Sequence, residues 1–284
     1  MLREFNREDK EQLLKIVKQG IPIICQDKIN LITGKADKIV VYGDNETGLL
    51  GFGSFRRWGI DKKRAEVVVY VAPGSRRKGI GTLLYNEIVT YTDKLNISRI
   101  DTAFTVDKDD VTLFYKNLGY KKWYGMHDMH YTGAEQPESD MEFVPYEDKY
   151  FEQYVEGLRT SFYEMRRVHD FQPYLCCEFS EKKREELKRC KKNIFLMLID
   201  GNAAAAVKIN NSGSLGPIFV VPAYQGKGYG RIITQFGINE AIRRGFKDIN
   251  LEVIEWNVRA RDLYLGLGFE IVQTTYYYWL YNKA

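Results

Sequence analysis

The same pattern occurs twice in this chain at one constant spacing. Residues 71–81, VAPGSRRKGIG, resemble residues 220–230, VVPAYQGKGYG, which lie 149 positions further along the chain. One spacing shared by two separate motifs predicts a duplicated sequence, so the fold is expected to be built twice. The second motif repeats in the matched pairs Tyr115 with Tyr264, Leu118 with Leu267, and Gly119 with Gly268.

The length of 284 residues is consistent with two domains. Between the repeats, residues 132–140 are polar and without periodicity, and they include Gly133 and Pro137, which is typical of a linker. We therefore expect an N-terminal domain over residues 1–134 and a C-terminal domain over residues 140–284. The two domains would pair within the chain, which would be a monomer or a homodimer.

Hydrophobic periodicity predicts strands that alternate with helices in both halves. The pattern favours an α/β (α+β) fold in which each half has a mixed, mostly antiparallel central sheet flanked by helices, rather than a doubly wound sheet. Residues 120–131 would supply the closing strands of the first half. The other strands are expected at 38–42, 49–58, 66–71, 100–106, 194–199, 203–209, 215–221 and 249–254, and helices at 8–18, after Gly81, and at 231–244.

Composition excludes several classes of protein. Hydrophobic residues make up 44% and charged residues 28%, and the formal net charge of +4 is not gathered into a basic tract, so we expect no nucleic-acid partner. No apolar run approaches the ~18 residues that span a bilayer, so we expect no membrane partner. The cysteines show neither CxxC nor zinc spacing, which favours free thiols in a reducing cytoplasm and no metal site; they are Cys25, Cys176, Cys177 and Cys190.

In both repeats a buried strand enters a glycine-rich turn that opens a helix. The first N–H groups of a helix have no intrahelical partner, and the helix dipole adds partial positive charge there, so a pyrophosphate would be stabilised. A nucleotide-binding P-loop is excluded because no Ser or Thr follows Lys227, and neither turn contains GxGxxG. The side chains that would add donors are Arg76, Arg77 and Lys78 in the first turn and Gln225 and Lys227 in the second.

The sequence strand–Val-x-Pro-x-x-[Arg/Gln]-x-x-Gly-x-Gly–helix resembles the acetyl-CoA motif of the GNAT superfamily of N-acetyltransferases. The second family motif, Asn-x-x-Ala-x-x-x-Tyr-x-x-x-Gly-Phe, is similar to residues 257–269. The resemblance covers nearly the whole chain, as two tandem domains. It implies acetyl-CoA as the cofactor and transfer of an acetyl group, by direct attack, to a primary amine of a small molecule, amino acid or peptide.

The resemblance also implies two sets of cofactor-binding residues. Among them, Val71 and Val220 would each offer a backbone N–H to the thioester oxygen. The first set is Val71, Arg76, Arg77, Lys78, Gly79, Ile80, Gly81 and Thr82. The second set is Val220, Val221, Gln225, Gly226, Lys227, Gly228, Tyr229, Gly230, Arg231 and Asn257.

Three residues are implied as catalytic. Tyr264 matches the family tyrosine that protonates the departing thiolate, and Tyr115 is its counterpart in the first half. Glu66 lies at the start of a central strand, near where some family members keep a general base. The second half lacks an acid there, whereas the first half departs at the second motif, with Lys108 in the position of Asn257. The more complete motif pair favours the second half if only one copy catalyses.

Each candidate also has an ordinary structural interpretation. The two tyrosines would serve as core aromatic residues, Glu66 as a surface carboxylate, and His127 and His130 would point to opposite faces of a strand rather than bind a metal. An alternative function is a non-catalytic acyl-CoA-binding regulatory or scaffold protein. A further alternative is a transferase that uses an aminoacyl-tRNA donor. The acceptor pocket would be built from the loops 19–34 and 168–180.

Overall fold

The structure, a computed structural model, describes residues 1–20, 34–44, 48–58, 62–106 and 111–281. Cys25, Lys108 and most of the loop 19–34, which entered the sequence predictions, lie outside these residues. The elements in chain order are β1 (Leu2–Glu4), α1 (Asp9–Gly20), β2 (Lys38–Asp44), β3 (Gly48–Trp58), β4 (Arg64–Val71), α2 (Ile80–Lys94), β5 (Arg99–Thr105), α3 (Thr112–Asn117), β6 (Lys121–Tyr131), β7 (Glu142–Pro145), α4 (Phe151–Val168), α5 (Glu181–Arg189), β8 (Ile194–Ile199), β9 (Asn202–Ile209), β10 (Leu215–Val220), α6 (Tyr229–Arg243), β11 (Ile249–Ile254), α7 (Val258–Leu265) and β12 (Glu270–Tyr281).

The predicted fold class is confirmed. Most strand pairs are antiparallel, whereas β4 and β5 are parallel, and helices flank the sheets. The chain divides into two compact units. Unit 1 comprises Met1–Gly125 and Thr274–Ala284, and unit 2 comprises Met126–Gln273.

Unit 1 is a sheet with strands in the order β1-β2-β3-β4-β5-β12-β6, covered on both faces. Successive strand residues point to opposite faces, so neighbours in one strand enter different cores. Val40 packs with Leu84 of α2, whereas Val41 packs with Leu13 of α1. The sheet therefore holds the start of α2 against the end of β4, where the first glycine-rich turn lies.

Unit 2 contains a second sheet in the order β10-β9-β8-β7. Helix α6 packs on one face through Ile233 and Ile238, and α4 packs on the other through Tyr154. Helix α4 approaches β10 closely because Gly157 has no side chain: a Cβ there would lie 2.7 Å from the Phe219 ring. This approach brings the next turn of α4 to the end of β10.

Residues 120–131 were predicted to supply the closing strands of the first half, but the structure pairs the last strands of the two units differently. In unit 1, residues 275–281 of β12 pair with β5. In unit 2, residues 126–131 of β6 pair with β11. Each half has a similar amphipathic strand at its end, and the local pattern does not select its partner. The domain limits 1–134 and 140–284 stay a prediction for the duplicated halves.

The predicted linker is irregular in structure, yet it is held firmly against α6. The amide of Gln136 donates to Asn239 Oδ1 at 2.7 Å, and Asn239 Nδ2 donates to the Gln136 carbonyl at 2.8 Å. Asn239 is 3% exposed. The segment is therefore a structural part of unit 2 rather than a free tether.

We expect Asn239→Ala to lower the free energy of unfolding by about 1 to 3 kcal/mol, because it removes both hydrogen bonds between the buried Asn239 side chain and the main chain of Gln136. Urea denaturation followed by circular dichroism measures this change. The control is Asn202→Ala, which removes an exposed amide that donates to the Asp200 carbonyl, with an expected change within about 0.5 kcal/mol. Equal effects of the two substitutions would contradict the structural role of Asn239.

Candidate active sites

Unit 1 has a gap between two parallel strands. β4 and β5 pair only at Arg64–Glu66 with Arg99–Asp101, while β4 stays paired with β3 as far as Val71. The amide of Ala72 donates to the Leu50 carbonyl at 2.8 Å. Because amide directions alternate along a strand, the N–H groups of Val71 and Val69 point away from β3 and into the gap. The gap can therefore accept an extended ligand that pairs like a strand.

Unit 2 has the same gap between β10 and β11, which are joined only by a bridge between Ser214 and Asn250. The amide of Val221 donates to the Ala204 carbonyl of β9 at 2.9 Å. By alternation, the N–H groups of Val220 and Ile218 face the gap. A register shift against β9 precedes Ile218. Val221, predicted to bind the cofactor, thus has its amide engaged in the sheet.

Side chains of the turns brace the strand ends in both units. Arg76 Nε donates to the Val71 carbonyl at 3.0 Å, and the matched Gln225 Nε2 donates to the Val220 carbonyl at 2.9 Å. Ser161 Oγ of α4 also donates to the Val220 carbonyl, at 2.9 Å. Arg76 and Gln225 therefore shape the turn, and pyrophosphate contacts by these side chains stay a prediction.

The glycine-rich turns present free main-chain donors. Gly79 and Gly228 precede α2 and α6 with φ of 79° and 85°, and a Cβ at either position would meet nothing within 4 Å. Within the described chain, the amides of residues 226–230 make no hydrogen bond. Left-handed residues that direct successive amides to one side form an anion-binding concavity. The turns have the chemistry that a pyrophosphate needs.

The other predicted cofactor residues lie in or beside these turns. Lys78 Nζ donates to the Gly74 carbonyl at 3.4 Å, and Arg231 Nη1 donates to the Gly266 carbonyl at 3.3 Å. Lys227 Nζ lies 5.7 Å from the centre of the Tyr224 ring. Arg77 has a left-handed φ of 62°. Its match in the second turn, Gly226, is also left-handed, with a φ of 80°. The first turns of α2 and α6 hold Ile80, Gly81 and Thr82, and Tyr229 and Gly230.

Tyr115 is enclosed in unit 1. It is 2% exposed, and the ring centres of Phe104, Phe114 and Tyr120 lie 4.8, 5.1 and 5.5 Å from its own. Burial raises the pKa of Tyr115, and the Thr102 side chain and the Val69 amide, which lie next to its hydroxyl, oppose that rise. The hydroxyl therefore lies next to the gap-facing amide of Val69 and to Thr102, although the buried Thr102 hydroxyl makes no hydrogen bond within the described chain.

Tyr264 has a different environment in unit 2. It is 8% exposed, and its ring centre lies 5.9 Å from that of Phe269. Burial alone raises the pKa of Tyr264 to about 12. Its hydroxyl makes no hydrogen bond with any residue that the structure describes. The residue that matches Thr102 in the second repeat is Leu251, which has no side-chain hydrogen-bonding group. The Tyr264 hydroxyl is therefore protonated at neutral pH and has no polar partner among the described residues.

Asn257 has a structural role that the sequence pattern did not separate from cofactor binding. Its Oδ1 accepts a hydrogen bond from the Ala260 amide at 3.2 Å, which caps the N-terminus of α7. This cap orients the helix that carries Tyr264. Contact between Asn257 and a cofactor stays a prediction.

Glu66 lies beside the gap but is paired. Its Oε2 is 2.6 Å from Arg56 Nη2. Asp101, the register partner of Glu66 across β4 and β5, was not predicted from the sequence. Burial raises the pKa of Asp101, against the effect of Arg99. The gap-facing amides of Val69 and Ile218 were not predicted either, although they lie two residues before Val71 and Val220 and follow from strand alternation.

The described residues contain no group of three or more His, Cys, Asp or Glu side chains placed to hold a metal ion. None of the described helices combines the length and apolar character needed to cross a bilayer.

The model of the Acetyltransferase (GNAT) family matches residues 8–120 and 153–269. The chain belongs to this family. Each matched region contains one strand gap, one glycine-rich turn and one motif tyrosine. The predicted tandem GNAT arrangement is therefore confirmed.

Solved structures show the same GNAT fold over the whole chain. A GCN5-related N-acetyltransferase from Sphaerobacter thermophilus superposes with a TM-score of 0.71 and 15% identity, covering 99% of this chain and 95% of that one. A tandem GNAT protein from the clavulanic acid biosynthesis pathway superposes with a TM-score of 0.64 and 13% identity, covering 100% of this chain and 99% of that one.

A curated relative is similar over a shorter stretch. Thialysine N-epsilon-acetyltransferase from Bos taurus is 41% identical over 54 residues, which are 19% of this chain. The match spans about a third, 32%, of that relative's length.

Proposed function

We propose that this GNAT protein transfers an acetyl group from acetyl-CoA to a primary amine of a small molecule, amino acid or peptide. The observation that carries the proposal is the buried, unpartnered hydroxyl of Tyr264, in a unit whose strand gap leads into a turn of free amides. The name of the Bos taurus relative gives an Nε amine as acceptor, in agreement with an amine acceptor here.

The residues of unit 2 fit the parts of acetyl-CoA. The amides of residues 226–230 would hold the pyrophosphate, and the gap-facing amides of Ile218 and Val220 would pair with the pantetheine arm. Acetyl-CoA supplies the acetyl group as an activated thioester. One of the two gap amides would donate to the thioester oxygen as negative charge develops there.

Tyr264 would act as the general acid. Its hydroxyl is protonated at neutral pH because burial raises its pKa to about 12, and no described residue competes for its proton. The acceptor amine would attack in its neutral form, a carbon–nitrogen bond would form as the carbon–sulfur bond breaks, and Tyr264 would donate a proton to the sulfur that leaves. The proton that the attacking nitrogen loses would return to the Tyr264 oxygen through water, so that the acid is restored. Leu215 occupies the position in unit 2 that matches Glu66, so unit 2 has no carboxylate base there. The acceptor amine would therefore lose its proton to water before it attacks.

The first unit is better suited to holding a ligand than to transfer. The Tyr115 hydroxyl lies against the Val69 amide and the Thr102 side chain, and three rings restrict its movement. Its turn nevertheless has the left-handed Gly79 and the open space of the second turn. This contrast supports the alternative of acyl-CoA binding without turnover for unit 1 alone.

The proposal is tested by incubating the protein with acetyl-CoA and a panel of primary amines. The measurements are the release of free thiol and the mass of each amine. We expect thiol release only with an acceptor present, together with an acetylated amine. Binding of acetyl-CoA without any transfer across the panel would support the binding-protein alternative, and absence of binding would reject both.

Glu66→Gln should leave kcat within about twofold of wild type. Glu66 is paired with Arg56 and belongs to unit 1, whereas the proposed acid lies in unit 2. The check is a pH–rate profile of both proteins with the same acceptor. A decrease in kcat of more than tenfold, or a shift of the acidic limb of the pH–rate profile, would contradict this expectation. Glu66 would then be the general base, and acetyl transfer would take place in unit 1.

A further inference from the structure

One face of the unit 1 sheet carries two adjacent ion pairs on three neighbouring strands. Arg56 of β3 pairs with Glu66 of β4 at 2.6 Å, and Arg99 pairs with Asp101, both of β5, also at 2.6 Å. Glu66 lies in register with both Arg56 and Asp101. Arg56, Glu66, Arg99 and Asp101 are called the ion-pair cluster below. It borders the point where β4 and β5 separate.

The ion-pair cluster does not satisfy its own hydrogen-bonding groups. Arg56 Nε, Arg99 Nη2 and Asp101 Oδ2 are buried and have no hydrogen-bond partner within the described chain. Two are donors on cations and one is an acceptor on an anion. A buried polar group without a partner is destabilising and rare in folded proteins, so three in one place point to a ligand that completes them.

Aromatic rings surround the ion-pair cluster. The Arg99 guanidinium lies 4.5 Å from the Trp123 ring centre and 5.6 Å from that of Trp279. Arg64 lies 5.3 Å from the ring centre of Trp58, which is 37% exposed and whose side chain lies next to Asp101. Three of the four tryptophans of the chain are therefore next to this cluster.

The duplicated half serves as an internal control for the fold. The positions 149 residues after Glu66, Asp101 and Arg99 are Leu215, Asn250 and Asp248. Unit 2 forms its strand gap without either ion pair. Because the architecture does not need the cluster, a role in binding explains why unit 1 has it.

The charges indicate the ligand. With Arg64, the cluster holds three cations and two anions, and its free atoms are two cationic donors and one anionic acceptor. A carboxylate has two oxygens for the donors, and a neighbouring ammonium supplies a proton donor for Asp101. We propose that the ion-pair cluster of unit 1 is a binding site for a small amino-carboxylate, the chemical class of free amino acids. This site does not depend on where acetyl transfer takes place.

The test is fluorescence titration of the full chain carrying Trp256→Phe, so that emission comes only from Trp58, Trp123 and Trp279. The probes are L-alanine and L-glutamate, with acetate and methylamine as analogues that keep one charged group each. We expect a saturable change in emission with an amino acid, and at least about tenfold weaker binding of both analogues, because each lacks a charge-assisted contact.

Two variants locate the site. Asp101→Asn keeps the shape and removes the anion, and Arg99→Gln removes a donor; each should weaken amino-acid binding about tenfold or more. The matched control is Arg189→Gln, which makes the same charge change on the exposed face of α5 and should bind as the parent does. Heat denaturation and acetyl-CoA titration show that each variant is folded.

The proposal is overturned if neither amino acid alters the emission, or if Asp101→Asn and Arg99→Gln both bind as the control does. Stronger binding of acetate than of any amino acid would also overturn it, since a simple anion site would then suffice. Failure to bind acetyl-CoA with intact amino-acid binding would reject the proposed function and leave this site in place.

Discussion

Tyr264→Phe should lower kcat about 10²- to 10⁴-fold and leave the Kd for acetyl-CoA unchanged, because the substitution removes only the hydroxyl that donates the proton. The hydroxyl has no partner among the described residues, so its loss should also cost little stability. Steady-state kinetics with a chosen amine, and calorimetric titration of acetyl-CoA, give the two quantities separately.

The matched control is Tyr115→Phe, at the same position of the first repeat. Because Tyr115 is enclosed by rings and its hydroxyl faces the Val69 amide, we expect kcat within about twofold of wild type. The opposite result, a strongly reduced kcat for Tyr115→Phe and a wild-type kcat for Tyr264→Phe, would assign catalysis to unit 1. Normal rates for both variants would exclude a tyrosine acid.

The direction in which the rate changes with pH follows from the raised pKa of Tyr264. An acid with a pKa of about 12 remains protonated through neutral and mildly alkaline pH. The wild-type rate should therefore rise with pH as the acceptor amine loses its proton, with no fall due to Tyr264 below about pH 11. A falling limb between pH 8 and 10 that is absent from Tyr264→Phe would contradict this assignment.

Gly228→Glu should weaken acetyl-CoA binding to unit 2 by at least about 100-fold and abolish transfer. The position has a φ of 85°, and a side chain would enter the open space in front of the free amides of residues 226–230. There its carboxylate would occupy the anion site and repel a pyrophosphate. Calorimetry measures the change as a lost site or a reduced stoichiometry.

Two controls separate this effect from backbone strain. Gly201→Glu has the same strain, with a φ of 76° and no atom within 4 Å of a Cβ, but it lies in the β8–β9 turn. It should lower stability by about 1 to 2 kcal/mol and keep acetyl-CoA binding. Gly79→Glu should remove binding by unit 1 only and keep transfer. A Gly228→Glu protein that binds and transfers normally would show that the turn only begins a helix.

Local elements followed from the sequence because their causes are local. Strands at 194–199 and 249–254 have the predicted limits, since runs of apolar residues bounded by turn residues determine them. The Asp200-Gly201 turn formed as predicted, with both residues left-handed. The twin turns likewise begin α2 and α6, because glycines at Gly79 and Gly228 permit the required positive φ.

The pairing of these elements depends on contacts that the local sequence pattern does not contain. The strands β6 and β12 have similar patterns, and their partners depend on contacts between residues far apart in the chain. The two motif tyrosines look alike in sequence, yet their surroundings differ: polar groups of Thr102 and Val69 lie next to the Tyr115 hydroxyl, whereas burial alone acts on Tyr264. The repeat, the fold class and the turns follow from the sequence alone, because their causes lie within short segments. The surroundings of each tyrosine depend on non-local packing, which the local pattern does not contain.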